Sequence, residues 1–309
     1  MYISIIHNIQ GDIGRSDMEY ENAIEIRNLV KRYDGFTLDD VSMVVPKGSI
    51  MGFIGQNGAG KTTTINCILN LIKRDAGEVK VLGMDMPKEE YEIKKYISAV
   101  FDELPFNEEL NANILDKILS GVFSAWDHTV FTEYLDRLQL PSQKKFKEFS
   151  KGMKMKLQIA AALSHHAKVL IMDEATTGLD PVVRNEILDI FLEFLQDEEN
   201  AILMSSHITS DLEKIADRVS FIDKGKLLIS GVKDEILEEH GIMRIGKKEL
   251  ADIDRADYIS ARVTDFGADL MVTDRAAAAR KYSGALIEKT TLEEIMLFYV
   301  NRDTTFNAI

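Results

Sequence analysis

The order of hydrophobic and polar positions predicts strands that alternate with helices along most of the chain. Strand-like segments, apolar or alternating, cover residues 24–30, 41–45, 49–54, 169–172 and 202–204. Helical spacing follows the third of these segments, with apolar residues at Ile65, Ile68, Leu69 and Ile72. Short runs that are apolar throughout are typical of buried parallel strands. The pattern therefore predicts an α/β protein with a largely parallel sheet.

The remaining segments show helical and hairpin patterns. Residues 103–163 read as mostly helical, and residues 219–222 and 226–229 predict a hairpin that turns at 223–225. The segment 236–255 is charged and helix-like, and a second hairpin is expected around Phe266 and Gly267. Thr291 and Glu294 have the spacing of a capping box for a last helix. We predict a disordered extension over 1–20, a main domain over 21–238 with a helical subdomain at about 103–163, and an accessory domain over 239–309.

Charge and composition narrow the classes of function. The chain has 309 residues, with 37 Lys and Arg against 51 Asp and Glu, which gives a net charge of −14. This acidic balance argues against a general nucleic-acid binder, whose affinity depends on neutralising phosphates. The single cysteine, Cys67, excludes a disulfide framework. No apolar run reaches the roughly 18–20 residues that a membrane span needs, and no signal peptide is expected.

A glycine-rich loop stands between the strand that ends at residue 54 and the helix that follows. It reads Gly55-Gln56-Asn57-Gly58-Ala59-Gly60-Lys61-Thr62 and fits the phosphate-binding pattern G-x-x-x-x-G-K-[ST]. Glycines let backbone N–H groups turn toward phosphate oxygens, and the helix start adds the positive end of its dipole. We expect Lys61 to reach the outer phosphates of a nucleotide and the Thr62 hydroxyl to be a ligand of Mg²⁺.

Two adjacent acids end the apolar run 169–172. Asp173 can hold Mg²⁺ through water, and Glu174 can orient or deprotonate an attacking water molecule. Strands often end in acids at a solvated edge, so this pair alone is a weak signal. Together with the phosphate-binding loop more than 100 residues earlier, it indicates nucleotide hydrolysis.

With these motifs the chain resembles the ATP-binding subunits of ABC transporters over about residues 22–235. Further positions match in the family's order: Tyr33 for an adenine-stacking aromatic, Ser150 and Gly152 in the signature motif, 178–181 in the loop between protomers, and His207 for a γ-phosphate ligand. The resemblance implies a P-loop NTPase (RecA-like) core with antiparallel β and helical subdomains, plus a small α+β C-terminal extension. It implies an ATP site formed by Tyr33, Gly55, Gln56, Asn57, Gly58, Ala59, Gly60, Lys61, Thr62, Thr63, Ser150 and Gly152.

The resemblance also implies the chemistry and the partners. The expected cofactors are ATP and Mg²⁺, with Thr62, Asp102 and Asp173 as metal ligands and Glu174, His207 and Lys61 as catalytic residues. The implied partners are a transmembrane permease subunit and a second ATPase subunit, in a homodimer or a heterodimer, without nucleic acid. The expected location is the inner face of the cell membrane, reached through the permease. The C-terminal extension resembles those of bacterial exporter ATPases for antibiotic and peptide efflux.

The chain departs from the family pattern at three positions. Asp102 stands where the family has glutamine, Lys151 replaces the first glycine of the signature motif, and Met153 replaces its glutamine. Aspartate can still ligate Mg²⁺ or its water, but it is shorter and charged. Lys151 either adds positive charge toward phosphate or lies solvated, and we favour the solvated position.

Three alternatives stay open. The chain could be a soluble ABC ATPase acting on ribosomes or DNA, although it has one cassette, no heptad run and an acidic balance. It could also be a nucleotide switch that hydrolyses little, which Asp102 and the altered signature motif would favour. An ATPase that powers import is compatible with the same core motifs.

Overall fold

The computed structural model describes residues 20–302 and the backbone of residues 305–307. The extension predicted over 1–20 therefore lies, up to residue 19, outside the described residues. The strands are β1 Asn22–Tyr33, β2 Phe36–Pro46, β3 Ile50–Ile54, β4 Ala76–Val81, β5 Met84–Met86, β6 Ile97–Phe101, β7 Val169–Asp173, β8 Ala201–Ser206, β9 Arg218–Asp223, β10 Lys226–Val232, β11 Gly241–Gly246, β12 Ala261–Val263, β13 Gly267–Val272, β14 Leu286–Glu288 and β15 Thr305–Asn307. The helices are α1 Lys61–Ile68, α2 Glu90–Ile93, α3 Ala112–Ser120, α4 His128–Arg137, α5 Lys151–Leu163, α6 Pro181–Phe194, α7 Thr209–Ile215, α8 Lys233–Glu239, α9 Arg275–Lys281 and α10 Leu292–Val300.

The central sheet confirms the parallel arrangement that the apolar runs predict. Its strand order is β10-β9-β3-β8-β7-β6, with the pairs β9–β3, β3–β8, β8–β7 and β7–β6 parallel and β9–β10 antiparallel. Every residue of β3, β7 and β8 is buried, because helices or a second sheet cover both faces. Since these strands run in one direction, their carboxyl ends meet at one edge, where the loops that follow β3, β6, β7 and β8 come together.

Two other sheets flank this core. Strands β2, β1, β4 and β5 form an antiparallel sheet in that order, and the helices α3, α4 and α5 form most of the segment predicted to be helical. The third sheet, in the order β14-β11-β13-β12-β15, belongs to the C-terminal extension and begins at Gly241. The mixed α/β fold with its antiparallel, helical and C-terminal parts agrees with the fold class expected from the resemblance.

The C-terminal extension contributes to the core of the main domain. Leu292, Ile295 and Phe298 on α10 are fully buried and belong to the same hydrophobic cluster as Leu212 and Ile215 on α7. The backbone N–H of Leu292 donates to Glu213 Oε1 at 2.7 Å, so that a side chain of α7 binds the first turn of α10. The Thr291–Glu294 capping box is present, as predicted.

The helical interpretation of residues 236–255 is wrong after residue 239, apart from a short 3₁₀ helix at Glu249–Asp252. After α8 the chain forms β11, whose Ile242 and Met243 are buried in the third sheet between β13 and β14. Charged residues around this strand hide its short apolar stretch, and only the pairing with distant strands makes it extended. Both predicted hairpins are present, as β9–β10 and β12–β13. Among the described residues, every helix is too short or too polar to cross a bilayer.

Candidate functional site

The glycine-rich loop connects the end of β3 directly to the start of α1. Gly60 caps α1 with φ 119°, a left-handed conformation that a side chain would strain. At Gly55, an added β-carbon would lie 2.5 Å from the carbonyl oxygen of Ile222, so that only glycine fits beside β9. The loop therefore needs glycine at both positions to bring its N–H groups and the α1 N-terminus to one place.

Lys61 is nearly buried on this loop, with 5% of its side chain exposed. Its ammonium donates to the carbonyl oxygens of Gly55 at 2.6 Å and Gln56 at 3.3 Å. It also forms an ion pair with Glu174 Oε1 at 3.0 Å. The lysine of the loop and the acid that follows β7, which are 113 positions apart in sequence, are thus in direct contact.

A chain of hydroxyl and carboxylate groups crosses the carboxyl ends of the parallel strands. The Thr62 hydroxyl donates to Asp173 Oδ2 at 2.7 Å, and the Ser205 hydroxyl donates to Asp173 Oδ1 at 2.6 Å. The Ser205 hydroxyl also accepts from the backbone N–H of Glu174 at 3.1 Å. Sequence reasoning missed Ser205. Its only signal was a small polar residue near the end of an apolar strand.

The carboxylate of Glu174 is held by three neighbours. Glu174 Oε2 accepts from the Thr177 hydroxyl at 2.8 Å and lies 2.6 Å from His207 Nδ1, whereas Oε1 faces Lys61. Burial raises the pKa of this carboxyl, but the hydrogen bond and charge of Lys61, with Thr177 and His207, outweigh that effect and hold its pKa below the usual range. Glu174 is therefore ionised at neutral pH and able to accept a proton. Thr177 was not foreseen from the sequence.

The oxygen atoms of Thr62 and Asp173 suit a hard cation such as Mg²⁺. Mg²⁺ is commonly bound through one or two carboxylates and the phosphates of its substrate, not by a cage of protein ligands. Within the described residues, no group of three or more His, Cys, Asp or Glu side chains is arranged to hold a metal ion. The arrangement at Thr62 and Asp173 therefore fits Mg²⁺ that arrives with a nucleotide.

Asp102 follows β6, next to the strand that ends in Asp173, but its carboxylate is engaged elsewhere. Asp102 Oδ1 lies 2.5 Å from Lys151 Nζ, in an ion pair whose members are 46% and 43% exposed. Lys151 is thus exposed, the position favoured from the sequence, and it is paired with Asp102. The expected role of Asp102 as a metal ligand remains a prediction.

Ser150 and Gly152 lie at the start of α5. Ser150 caps the helix, and its hydroxyl accepts from the backbone N–H of Met153 at 3.3 Å. A β-carbon at Gly152 would lie 3.3 Å from Val183 Cγ1 on α6, so that the two helices approach closely at this position. In the described protomer, neither residue takes part in the hydrogen bonds around Lys61.

The remaining predicted residues lie near the loop or farther away. Tyr33 ends β1, is 47% exposed, and has the Lys31 ammonium 5.3 Å from its ring centre. Thr63 is partly buried in the first turn of α1. Asn57 and Gly58 are exposed at the tip of the loop, and Ala59 is buried.

A buried ion pair connects the loop at 178–181 with the helix that follows His207. Arg184 on α6 donates from Nη2 to the Leu179 carbonyl oxygen at 3.2 Å, and its Nε lies 3.7 Å from Asp211 Oδ2. Asp211, on α7, is only 1% exposed. Sequence analysis did not identify these two residues, because their separation of 27 positions gives no local signal.

The family model described as "ABC transporter" matches residues 38–177. The bacitracin transport ATP-binding protein of Bacillus licheniformis is 36% identical over 208 residues, covering 66% of this chain and 68% of the relative. The linearmycin resistance ATP-binding protein of Bacillus subtilis is 30% identical over 287 residues, covering 89% of this chain and 92% of the relative. The latter match extends into the C-terminal extension.

Solved structures give the same result. A structure described as the ATP-binding subunit of an ABC transporter superposes with a TM-score of 0.63 and 26% identity, over 69% of this chain and 91% of that chain. The matched share of the chain is close in size to the predicted main domain.

Proposed function

Because this chain belongs to the ATP-binding proteins of ABC transporters, which are ATPases, we propose that it powers export through a separate transmembrane subunit. The observation that carries the proposal is the contact of Lys61, Thr62, Asp173, Glu174 and His207 at one edge of the central sheet. Export is favoured by relatives whose names state bacitracin transport and linearmycin resistance. A third relative, from Streptococcus pyogenes, is a lantibiotic transport ATP-binding protein.

In the proposed mechanism, the glycine-rich loop binds the phosphates of ATP. The backbone N–H groups and the α1 N-terminus provide positive potential, and Lys61 adds a full charge. The Lys61 ammonium now donates to two loop carbonyl oxygens and contacts Glu174. Turning toward phosphate releases Glu174 Oε1 from this ion pair.

Glu174 then accepts a proton from the attacking water molecule. Thr177 and His207 continue to hold Oε2, so that Oε1 is the atom directed to water. Asp173 and Glu174 stay aligned because the Ser205 hydroxyl bonds to the first carboxylate and to the N–H of the second residue. We propose that His207 also donates toward the γ-phosphate, the role that the resemblance implies for this position.

Mg²⁺ bound with ATP would neutralise phosphate charge, and we propose that Thr62 and Asp173 hold it. We further propose that ATP lies between two ATPase subunits, with Ser150 and Gly152 of one subunit facing the glycine-rich loop of the other. The N-terminal turn of α5, which contains no acidic residue, is a suitable anion site for this contact. The second subunit is either another copy of this chain or a related one.

The proposal is tested by purifying a tagged copy of the full chain from membranes in mild detergent. We expect a polytopic membrane protein without an ATPase site of its own to co-purify and to raise the ATP hydrolysis rate when added back. Reconstituted vesicles containing both proteins should move substrate away from the side to which ATP is added. Recovery of only ribosomal or DNA-associated proteins would instead favour the soluble ABC ATPase, and movement toward the ATP side would indicate import.

A further inference from the structure

The ion pair between Asp102 and Lys151 joins two positions at which the chain departs from its family's motifs. Asp102 immediately follows β6, and Lys151 is the first residue of α5. Neither a glycine at 151 nor a glutamine at 102 could form this ion pair. The two charged residues are 49 positions apart in sequence, but their charged groups lie 2.5 Å apart in the fold.

The helix itself gives no reason for a lysine at this position. A positive charge in the first turn opposes the positive end of the helix dipole, and α5 has no acidic residue in that turn. The Asp102 carboxylate provides the missing negative charge from another element. The ion pair therefore connects α5 to the end of β6, and it does more than stabilise α5 itself.

A second contact joins the same two elements more deeply. Gln158 on α5 accepts from the Phe101 N–H at 3.1 Å and donates to the Phe101 carbonyl oxygen at 3.0 Å. Phe101 is in register with Asp173 on β7. With Gln158 holding the middle of α5 and Asp102 holding its first residue, the orientation of α5 is set relative to the strand that ends in Asp173.

Lys151 also lies against the loop that precedes α6. A β-carbon at Gly178, where φ is +72°, would lie 3.3 Å from Lys151 Nζ and 3.8 Å from its Cε. The Lys151 side chain thus pairs with the segment after β6 and lies close to the segment after Glu174, while its backbone belongs to the turn that contains Ser150 and Gly152.

We propose that Asp102 and Lys151 are a pair of positioning residues that hold the first turn of α5 in the orientation needed at the facing nucleotide site. The inference rests on the proposed use of Ser150 and Gly152 at that site. Asp102 fixes the position of the Lys151 side chain, and Lys151 in turn fixes the backbone of the turn that it begins. Because both side chains are about half exposed, the contribution of the ion pair is modest, roughly two- to fivefold in turnover.

The test is a double-mutant cycle on ATP turnover in the full chain, with its membrane subunit where one co-purifies. We expect D102N and K151M each to lower kcat by about two- to fivefold, and D102N/K151M to be no slower than the slower single variant. D102E and K151R keep both charges and should retain most of the turnover. Affinity for a fluorescent ATP analogue and its dependence on Mg²⁺ concentration should stay at wild-type values in all variants.

The ion pair between Glu108 and Lys154 is a matched control, because it also joins the segment after β6 to α5. The variant E108Q/K154M should turn over ATP like the wild type. Three results would overturn the inference: losses that multiply in the double variant, wild-type turnover in both single variants, or an equal loss in the control. A higher Mg²⁺ requirement in D102N but not in K151M would instead make Asp102 a metal ligand.

The two proposals fail in different experiments. A chain that recruits no membrane subunit would refute export and leave the coupling between Asp102 and Lys151 intact. Conversely, additive losses in the cycle would refute the positioning pair without affecting the export proposal.

Discussion

The hydroxyl of Ser205 makes hydrogen bonds to both acids that end β7. It donates to Asp173 and accepts from the N–H of Glu174, and Ser205 itself is completely buried. Because Asp173 also accepts from Thr62, a single buried side chain connects the β8 end to the loop that begins α1. The positions of the two acids therefore depend on Ser205, a residue that belongs to none of the sequence motifs.

Replacing Ser205 with alanine should therefore slow hydrolysis more than it weakens ATP binding. The change leaves a buried carboxylate oxygen and the Glu174 N–H without this partner, which costs about 1–3 kcal/mol. We expect kcat to fall roughly tenfold while the KM for ATP stays within about twofold. The measurement is steady-state ATPase kinetics.

A suitable control is Ser220→Ala on β9. Ser220 is equally buried, but its hydroxyl is bonded to Ser230 at 2.7 Å and does not contact the acids. This variant should lose stability and keep its turnover. Equal turnover of the S205A and S220A proteins would contradict the assigned role of Ser205.

Glu174→Gln tests the proton acceptor itself. Glutamine keeps the size of the side chain and can still bond to Thr177, but it cannot accept a proton from water. We expect hydrolysis to fall by about 10²- to 10⁴-fold with ATP binding retained, measured by single-turnover hydrolysis and by binding of a fluorescent analogue. Glu186→Gln, on α6 at a side chain 36% exposed and paired with Lys156, should behave like the wild type. Normal turnover in E174Q would exclude Glu174 as the base.

At the scale of elements, a buried histidine connects the end of α5 to β6. His165 is 1% exposed, stacks on Phe123 with ring centres 4.2 Å apart, and has Nε2 2.5 Å from the Ser98 hydroxyl. Burial lowers the pKa of His165 to about 4. The imidazole is therefore neutral in the folded protein throughout the neutral range.

This shift predicts a loss of stability in mild acid. Below about pH 6.5 the unfolded chain binds a proton at this histidine that the folded chain does not bind until about pH 4. The free energy of unfolding therefore falls as pH is lowered through this window, by about 2 kcal/mol between pH 7.5 and pH 5 from His165 alone. Urea unfolding of His165→Phe at the two pH values should show a correspondingly smaller difference.

His128 provides the comparison, because its side chain is 73% exposed. His128→Gln should keep most of the wild-type difference between the two pH values. If His165→Phe had the same pH dependence as the wild type, the neutral state of His165 would not be the source of the acid sensitivity.

The C-terminal extension shares a hydrophobic cluster with the rest of the protein. Phe298 on α10 is completely buried in the cluster that also contains residues of α5, β7 and α7. The α7 helix directly follows His207, and it holds α10 through Glu213. The division into domains near residue 239 remains a prediction, but the packing joins the two parts energetically.

Phe298→Ala should consequently destabilise the whole chain and not only its C-terminal part. Removing a buried phenylalanine costs about 3–5 kcal/mol.

The single tryptophan, Trp126, lies beside Phe131 in the helical segment and reports on a distant part of the molecule. We expect urea unfolding followed by Trp126 fluorescence to shift to lower urea in F298A. Leu286→Ala, at a residue 58% exposed, should leave the midpoint close to the wild type. An unchanged Trp126 transition in F298A would show that the two parts unfold independently.

Several features of this protein could be predicted because their information is local. The glycine-rich loop, the acids after residue 172 and the Thr291–Glu294 cap are each contained in a few consecutive residues. Hydrophobic periodicity over such short segments was enough to predict the central parallel strands. These features also carried the resemblance to the family, which the comparisons then confirmed.

Contacts between residues far apart in sequence could not be predicted in this way. Ser205 hydrogen-bonds the acids, Arg184 pairs with Asp211, and Lys151 pairs with Asp102. These contacts form because parallel strands bring their carboxyl ends, and the loops and helices next to them, to one edge of the sheet. Such contacts depend on strand order and register, which local periodicity does not encode. The same reason explains β11: its residues are extended because β13 and β14 pair with them, although the surrounding charges resemble those of an exposed helix.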